Sequence, residues 1–362
     1  MSRLRTWRML LALFAALTLV AAACGDSDDD GGDDTEETAD DATSESTAPP
    51  DDDSGADPDA DTGDGAFRAA FVSPSAINDL AFSQTIFDAM EALQADYGAD
   101  SFEFEFSDGL FVVEDAAAAL RGYAEDGFDL VIAHGSQYGG SLQEIAPDFP
   151  DTAFAWGPAA DDFGLANVSS YNSAADEGGY VMGVLAAQLS ASGNIGVVGP
   201  VEAGEPTDFI NAFLRGVGDD AEATVVYTGS FSDVALASEA ANSFISNGAD
   251  VLTGTSQAMV GAIGVAQQND VLWFATQSDQ RTLAPEHVVV SQVYEWEVIL
   301  KPMIDGIIGG TLGGFSDEIN LENGGIVMAF NDGVVIDDPA AAAAVVDETV
   351  AGIIAGEIET EG

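Results

Sequence analysis

The sequence predicts an α/β protein with two similar lobes, each a parallel sheet flanked by helices. Short runs of β-branched and aromatic residues alternate with longer amphipathic stretches throughout the chain after residue 66. Most of the short runs are apolar along their whole length, as expected of parallel strands that helices cover on both faces. The alternation occurs as two consecutive series, and residues 67–362 suffice for two lobes of ordinary domain size.

The first series predicts four strands separated by helices. Each strand is a short run rich in apolar or aromatic residues, and each helix shows apolar residues at a spacing of three or four. The predicted strands are Ala69–Val72, Phe102–Phe106, Leu130–Ala133 and Ala153–Trp156. The predicted helices are Phe82–Tyr97, Val113–Glu125 and Ser141–Ala146.

The second series repeats this alternation and begins with a helix. Its predicted helices are Ala175–Ser190, Thr207–Val217, Ala235–Asn247 and Met259–Gln268. Its predicted strands are Ile195–Val198, Thr224–Tyr227, Val251–Thr253 and Val271–Ala275.

The last section contains too few elements for a third domain. It predicts strands at Val288–Val293 and Ile326–Phe330 and a final helix at about Ala340–Ile354. We therefore expect the chain to return and complete both lobes, with several crossings at a hinge. The expected division is 67–170 plus 295–325 for lobe 1, and 171–290 plus the C-terminal return for lobe 2.

Residues 1–24 read as a secretory signal. Three arginines precede the apolar or small run Met9–Ala23, whose 15 residues are short for a membrane span of roughly 20. The run ends at Cys24, the single cysteine of the chain, and this junction resembles the bacterial lipobox. We expect Cys24 to be lipidated and to anchor the protein on the extracytoplasmic face of the cell membrane. The alternative is an ordinary signal peptide cut at an Ala-x-Ala site.

Residues 25–66 form a predicted tether of different composition. Up to residue 65 the segment has 18 acids, no basic residue and no aromatic residue. Such a segment cannot bury enough apolar surface to offset its ordering entropy, so we expect a disordered spacer.

The charge balance excludes several classes of protein. The chain has 64 Asp and Glu against 8 Lys and Arg, so it cannot form the basic surface that nucleic-acid binding requires. Two His and one Cys predict no structural metal site. The acid excess suggests a protein that folds best in concentrated salt, which screens self-repulsion. The alternative is that acidity maintains solubility.

Nothing in the sequence predicts an enzyme or a cofactor. The lone lysine, Lys301, precedes Pro302, so no phosphate-binding Gly-x-x-x-x-Gly-Lys motif exists, and no Gly-x-Ser-x-Gly elbow is present. His134 could serve as a base for a nearby serine, but no further triad partner is identifiable.

Polar loops follow five of the predicted strands. They begin at Ser73, His134, Gly229, Gly254 and Gln277, and each carries Ser, Thr, Asn, Gln or Asp. Turns and helix caps also use these residue types. The carboxyl ends of parallel strands lie at one edge of a sheet, and ligands bind at that edge in such folds. Because polar side chains occur in all five loops at this edge, we expect a polar ligand cleft there.

Several ordered motifs resemble a known family. They include Ile77–Gln84, Gly127–Ile132, Phe149–Phe154, Asn167–Asn172, Glu177–Tyr180, Gly183–Ala187, Gly193–Gly199, Asn247–Val251 and Tyr294–Trp296. Together they span roughly residues 67–315 and are similar to the basic membrane protein family. These lipoproteins are the purine-nucleoside receptor-like substrate-binding proteins of ABC-type importers.

The resemblance implies a type I periplasmic-binding-protein fold that closes on a purine base or nucleoside and presents it to permease subunits. Phe82 and Phe231 match positions where the family places ring-stacking aromatics. Asp279 matches its ribose-binding loop. The other implied ligand contacts are Asn78, Asp79, His134, Gln137, Asn172, Gln277 and Trp296.

Three questions stay open at this stage. The segment Ser291–Trp296 lacks the lysine of many nucleoside-binding members and is closer to the branch that binds free bases. The free base and the nucleoside therefore rank nearly equal as ligands. A surface lipoprotein that senses a ligand without feeding a transporter would have the same cleft, and a nucleoside-processing enzyme is a further alternative. We expect a monomer.

Overall fold

The computed structural model describes residues 65–361. The predicted signal segment, Cys24 and the tether up to residue 64 lie outside the described residues. None of the helices in 65–361 has the length and apolar character of a membrane span.

The strands are β1 Phe67–Val72, β2 Phe102–Ser107, β3 Leu130–His134, β4 Ala153–Gly157, β5 Val168–Ser173, β6 Asn194–Gly199, β7 Glu222–Tyr227, β8 Val251–Gly254, β9 Leu272–Gln277, β10 Val288–Tyr294, β11 Ser316–Ile319 and β12 Ile326–Phe330. The helices are α1 Phe82–Tyr97, α2 Val113–Glu125, α3 Gly139–Ile145, α4 Ala175–Leu189, α5 Glu205–Val217, α6 Val234–Ser246, α7 Met259–Gln268, α8 Glu297–Ile308 and α9 Pro339–Ile354.

The strands form two sheets of the same design. The first sheet has the order β11-β5-β4-β3-β1-β2, and the second has the order β12-β10-β9-β8-β6-β7. Neighbouring strands are parallel in both sheets except for the pair β10 and β12. Helices between consecutive strands cover the sheets, which explains why the strands are apolar along their length. The predicted α/β class with two parallel-sheet lobes is confirmed.

The chain passes between the two sheets three times: after β5, after β10 and after β11. Helix α8 packs against α1 and β11 of the first sheet, and α9 packs against α4 and β12 of the second. The last section of the chain thus contributes to both sheets.

Three elements escaped sequence analysis. Strand β5 contains the buried serines 169 and 170 and therefore lacks a fully apolar pattern. Helix α8 contains Pro302, which normally interrupts a helix. Strand β11 is a four-residue edge strand with two acidic residues, and it pairs in parallel with β5. In each case tertiary pairing or packing outweighs the local signal.

A group of five rings packs beside the crossings, and we call it the hinge aromatic cluster: Phe82, His134, Tyr171, Tyr294 and Trp296. The Trp296 ring centroid lies 5.3 Å from that of Tyr171, 5.5 Å from that of Tyr294 and 5.7 Å from that of His134. The cluster joins β3 and β5 of one sheet to the chain that leaves β10 of the other. It belongs to a core that extends from one sheet to the other.

Candidate ligand-binding site

A cavity of about 570 Å³ lies between the two sheets. The segments that line it follow the carboxyl ends of strands in both sheets, as is usual for ligand sites in parallel α/β folds. From the first sheet come Pro74 after β1, Gly135–Gln137 after β3 and Pro158 after β4. From the second sheet come Phe231 after β7, Thr255–Gln257 after β8 and Gln277 at the end of β9. The volume suits a small organic molecule.

Phe82 lines the cavity from the first sheet. It is the first residue of α1, and its ring stacks on the imidazole of His134 with centroids 3.9 Å apart and planes 13° apart. The side chain is only 6% exposed. The hinge aromatic cluster therefore holds the Phe82 ring in a fixed orientation beside the cavity.

Phe231 lines the same cavity from the loop after β7. Its carbonyl accepts a hydrogen bond from the backbone N–H of Ala258, which ties the loop to the start of α7. Its ring lies 6.5 Å, centroid to centroid, from that of Phe111, which precedes α2 and also lines the cavity. Aromatic rings from both halves of the molecule thus meet at the cavity.

Three predicted polar residues also line the cavity: Gln137, Asn172 and Gln277. Asn172 donates a hydrogen bond through Nδ2 to Glu318 Oε1 at 3.1 Å. Gln277 has a φ of 71°, an uncommon left-handed conformation for a residue with a side chain. With Phe82 and Phe231, five of the ten predicted residues line one cavity, and their role as ligand contacts stays a prediction.

Asn78, Asp79 and Asp279 do not line the cavity, and local structure engages the two carboxylates. Asn78 is exposed in the loop before α1. Asp79 Oδ1 accepts hydrogen bonds from the backbone N–H groups of Ala81 and Gln84, so its carboxylate organises the start of α1. The Arg281 guanidinium donates to Asp279 Oδ1 at 2.8 Å and lowers the pKa of that carboxyl. Both acids therefore have the turn and cap roles that such positions often have.

His134 and Trp296 lie behind the cavity wall within the hinge aromatic cluster, and both are fully buried. The Trp296 indole N–H donates to Thr85 Oγ1 at 2.9 Å. Burial lowers the pKa of His134 to about 3, so the ring is neutral. Because the Phe82 carbonyl can only accept, we assign the His134 proton to Nε2, and Nδ1 accepts from the Tyr171 hydroxyl at 2.7 Å.

Replacing Asp79 with Ala is expected to lower the free energy of unfolding by about 0.5–2 kcal/mol, the usual cost of losing a helix-capping side chain. Urea unfolding of the full-length chain measures the loss. Asp100→Ala, a matched change at an exposed acid beyond the end of α1, should cost much less. An Asp79→Ala variant with unchanged stability would contradict the capping role.

Glu205 lines the cavity and was missed by sequence analysis. It is the first residue of α5, and its Oε1 accepts a hydrogen bond from the Tyr294 hydroxyl at 2.6 Å. Burial raises its pKa to about 7, and the neighbouring Asp208 adds to the rise, against the effects of Tyr294 and Gln277. In a chain with 64 acids a single Glu carries no signal. The Gly204-Glu205-Pro206 helix start after β6 was the available clue.

Three residues of the cavity wall carry buried side-chain oxygens without a hydrogen-bond partner. These are Thr255 Oγ1, Gln257 Oε1 and Gln277 Oε1. Buried polar atoms in proteins are nearly always hydrogen-bonded, so such exceptions need an explanation. All three oxygens belong to segments of the second sheet that line the cavity, where a bound molecule would supply the missing hydrogen bonds.

The charged groups of the cavity wall are all acidic. Glu205 and Asp208 line it, and no Lys, Arg or His appears among the described residues of its lining. The same part of the chain, residues 65–361, holds no group of three or more His, Cys, Asp or Glu placed to bind a metal ion. The wall thus combines aromatic rings, amides, hydroxyls and carboxylates.

Two parallel-sheet lobes with a cavity between them, and chain crossings on one side, define a two-lobed solute-binding protein of the type I periplasmic-binding fold. The family model described as ABC transporter substrate-binding protein PnrA-like, also called Bmp, matches residues 66–355. The chain belongs to this family, which is a family of binding proteins.

Individual relatives agree with that assignment. A purine-binding protein of Brucella abortus is 30% identical over 217 residues, which are 59% of this chain and 61% of that protein. A putative ABC transporter glucose-binding protein of Haloferax volcanii is 26% identical over 249 residues, 67% of this chain and 62% of that protein. The chain thus spans about three fifths of the length of these relatives. An ABC transporter solute-binding protein from Conexibacter woesei superposes with a TM-score of 0.65 at 26% identity, covering 81% of this chain and 98% of that structure.

Proposed function

We propose that this protein captures a purine base or purine nucleoside between its lobes and delivers it to the permease of an ABC-type importer. The observation that carries the proposal is that Phe82 and Phe231, from opposite sheets, line one cavity. A flat heterocycle between two such rings gains roughly 1–3 kcal/mol per stacked base. The purine-binding name of the Brucella abortus relative supports the same ligand class.

Polar groups of the wall supply hydrogen bonds to the edge of the ligand. Gln137 and Asn172 offer amides from the first lobe, and Gln277 offers one from the second. Asp279, the carboxylate that the family resemblance assigns to ribose, is engaged by Arg281 and does not line the cavity. This engagement favours the free base over the nucleoside, because the expected ribose contact is not in place.

The proposed setting is the outer face of the cell membrane. Lipidation of Cys24 would anchor the chain, and the acidic segment 25–66 would let the binding domain reach a permease. The protein would act as a monomer and would return its ligand unchanged. Recovery of intact adenosine after prolonged incubation with the protein supports a receptor, whereas recovery of adenine would indicate an enzyme.

The ligand class is tested by calorimetric titration of the full-length chain with adenine, adenosine and glucose in concentrated KCl. We expect adenine or adenosine to bind and glucose to give no heat of binding. Binding of glucose alone would overturn the proposal. Mass spectrometry of small molecules released by denaturing the purified protein provides an independent identification.

Coupling to transport is tested by deleting the gene and measuring uptake of radiolabelled adenine. Reduced uptake that the wild-type gene restores supports the importer. Unchanged uptake, together with adenine binding by the purified protein, would instead indicate a ligand-sensing surface protein, since the same cleft serves both roles.

We also propose that the acid excess adapts the protein to a saline setting. The pKa values of six carboxyl groups are raised, first by burial and then by neighbouring carboxylates. They belong to Asp88, Glu177, Glu205, Asp208, Glu295 and Glu318. The folded state therefore binds more protons than the unfolded state between the ordinary and the raised values, and stability falls as pH rises through that range. Salt screens the part of this loss of stability that arises from repulsion between carboxylates.

The melting temperature at pH 8 is accordingly expected to rise from dilute buffer to molar KCl, and to rise less at pH 5, where more of these groups are protonated. Scanning calorimetry of the full-length chain measures both. A melting temperature that does not respond to KCl at pH 8 would leave solubility as the role of the acidic residues.

A further inference from the structure

Glu205 is a carboxylate that a neighbouring tyrosine holds at the cavity wall. It stands at the start of α5 on the cavity wall, and the Tyr294 hydroxyl fixes one of its oxygens at 2.6 Å. Tyr294 is the last residue of β10, directly before the chain crosses to the other lobe, and its ring packs on Trp296. The carboxylate is thus held in a defined orientation at the ligand cavity by a buried residue of the hinge aromatic cluster.

The rest of the cavity wall needs hydrogen-bond donors from a ligand. The unpartnered oxygens of Gln257 and Gln277 can only accept hydrogen bonds, and that of Thr255 can accept as well. Gln277 is 4% exposed and Thr255 is 1% exposed, so water does not readily compensate for them. Because the described residues of the lining include no cation, a ligand that presents N–H or O–H donors matches this wall better than a ligand with negative charge does.

The two oxygens of Glu205 are not equivalent. Oε1 already accepts a short hydrogen bond from Tyr294, and the Gln277 side chain also contacts the carboxylate. A carboxylate has about four lone-pair sites, so Glu205 can accept a further hydrogen bond from a ligand. Adenine loses its ring N–H on glycosylation at N9, but it keeps the exocyclic amino group in adenosine. For this pair of ligands the amino group is therefore the donor that base and nucleoside share on the purine ring.

We propose that Glu205 is a specificity-determining residue that accepts a hydrogen bond from the exocyclic amino group of the ligand, so that the cleft selects aminopurines over purines without that group. This inference rests on the proposed function and names the subclass of ligand. A hydrogen bond to a charged group is a strong one, and losing it leaves a carboxylate facing a ligand that offers no donor.

The ionisation of Glu205 provides a second, independent observable. The titratable groups that act on it are Asp208 on the same helix and Tyr294 on β10, while Asp176 on α4 acts on both of these. None of these groups is a cation, and the hydrogen bonds from Tyr294 and Gln277 only partly offset the effect of burial, which raises the pKa of Glu205 to about 7. The carboxylate that accepts the amino group should therefore predominate only above about pH 7.

The test compares adenine with unsubstituted purine, which has the same rings and no amino group, by calorimetric titration at pH 8. We expect adenine to bind the wild-type chain at least about tenfold more tightly than purine. In Glu205→Gln the ratio should fall to within about twofold. Glu202→Gln removes the same charge from an exposed position outside the cavity lining and should leave the ratio unchanged.

A pH series on the wild-type chain needs no variant. Between pH 6 and pH 8, where adenine stays neutral, the preference for adenine over purine should increase with pH. If both ligands bind and the ratio is the same in wild type and Glu205→Gln, or does not change with pH, this inference is overturned and the proposed function stands. If neither ligand nor any nucleoside binds, the proposed function fails and the inference fails with it.

Discussion

Replacing Phe231 with Ala is expected to weaken purine binding by about 1–3 kcal/mol, which corresponds to about five- to 150-fold in Kd. The residue supplies one of the two rings that line the cavity from opposite lobes. It lies on a loop and is only half-buried, so its removal should leave the core intact. The corresponding change at Phe82 is less informative, since that ring also packs on His134 within the hinge aromatic cluster.

The matched control is Leu236→Ala, which removes a partly exposed side chain of α6 that does not line the cavity. Its affinity for adenine should equal that of the wild type. Phe231→Trp should retain most of the affinity, because an indole also offers a stacking face. If Phe231→Ala binds adenine as tightly as the wild type, the aromatic sandwich is contradicted.

Replacing Trp296 with Ala is expected to lower the free energy of unfolding by about 3–5 kcal/mol, the usual cost of truncating a large buried aromatic residue. Trp296 has no exposed surface, and its ring packs against Tyr171, Tyr294 and His134. The change would open a void where the chain crosses between the lobes, and it would leave Thr85 without its indole donor. Urea unfolding in concentrated KCl gives the loss.

Trp296→Phe separates packing from hydrogen bonding at this position. It keeps an aromatic ring and loses the N–H donor, so it should cost clearly less than Trp296→Ala. A loss below about 1 kcal/mol for Trp296→Ala would contradict the structural role assigned to the hinge aromatic cluster.

Most of the fold could be predicted because its central strands are buried on both faces. Apolar runs such as Leu130–Ala133 have no polar face, and this pattern indicates a parallel sheet under helices. Strand β5 was not predicted, since its serines are buried by pairing with β4 and β11, which sequence does not show. Helix α8 was not predicted, because Pro302 is unfavourable inside a helix. Packing of α8 against α1 and β11 stabilises the helix despite this proline.

The candidate site could be predicted only in part. The loops that follow the strands, and the aromatic residues in them, could be predicted, because both are defined by their position after a strand. Asp79 and Asp279 could not be separated from true cavity residues, because the Ala81 and Gln84 amides and the Arg281 guanidinium that engage them are a matter of loop geometry. Glu205 was not predicted, because only its burial and its hydrogen bond with Tyr294, which is distant in sequence, distinguish it from the many other acids.

A crystal structure of the full-length chain with adenine would locate the ligand directly. We expect one binding mode, in which the heterocycle lies between the rings of Phe82 and Phe231 with its amino group toward Glu205. Adenine bound in the cavity without contact to either ring, or bound elsewhere on the protein, would contradict it.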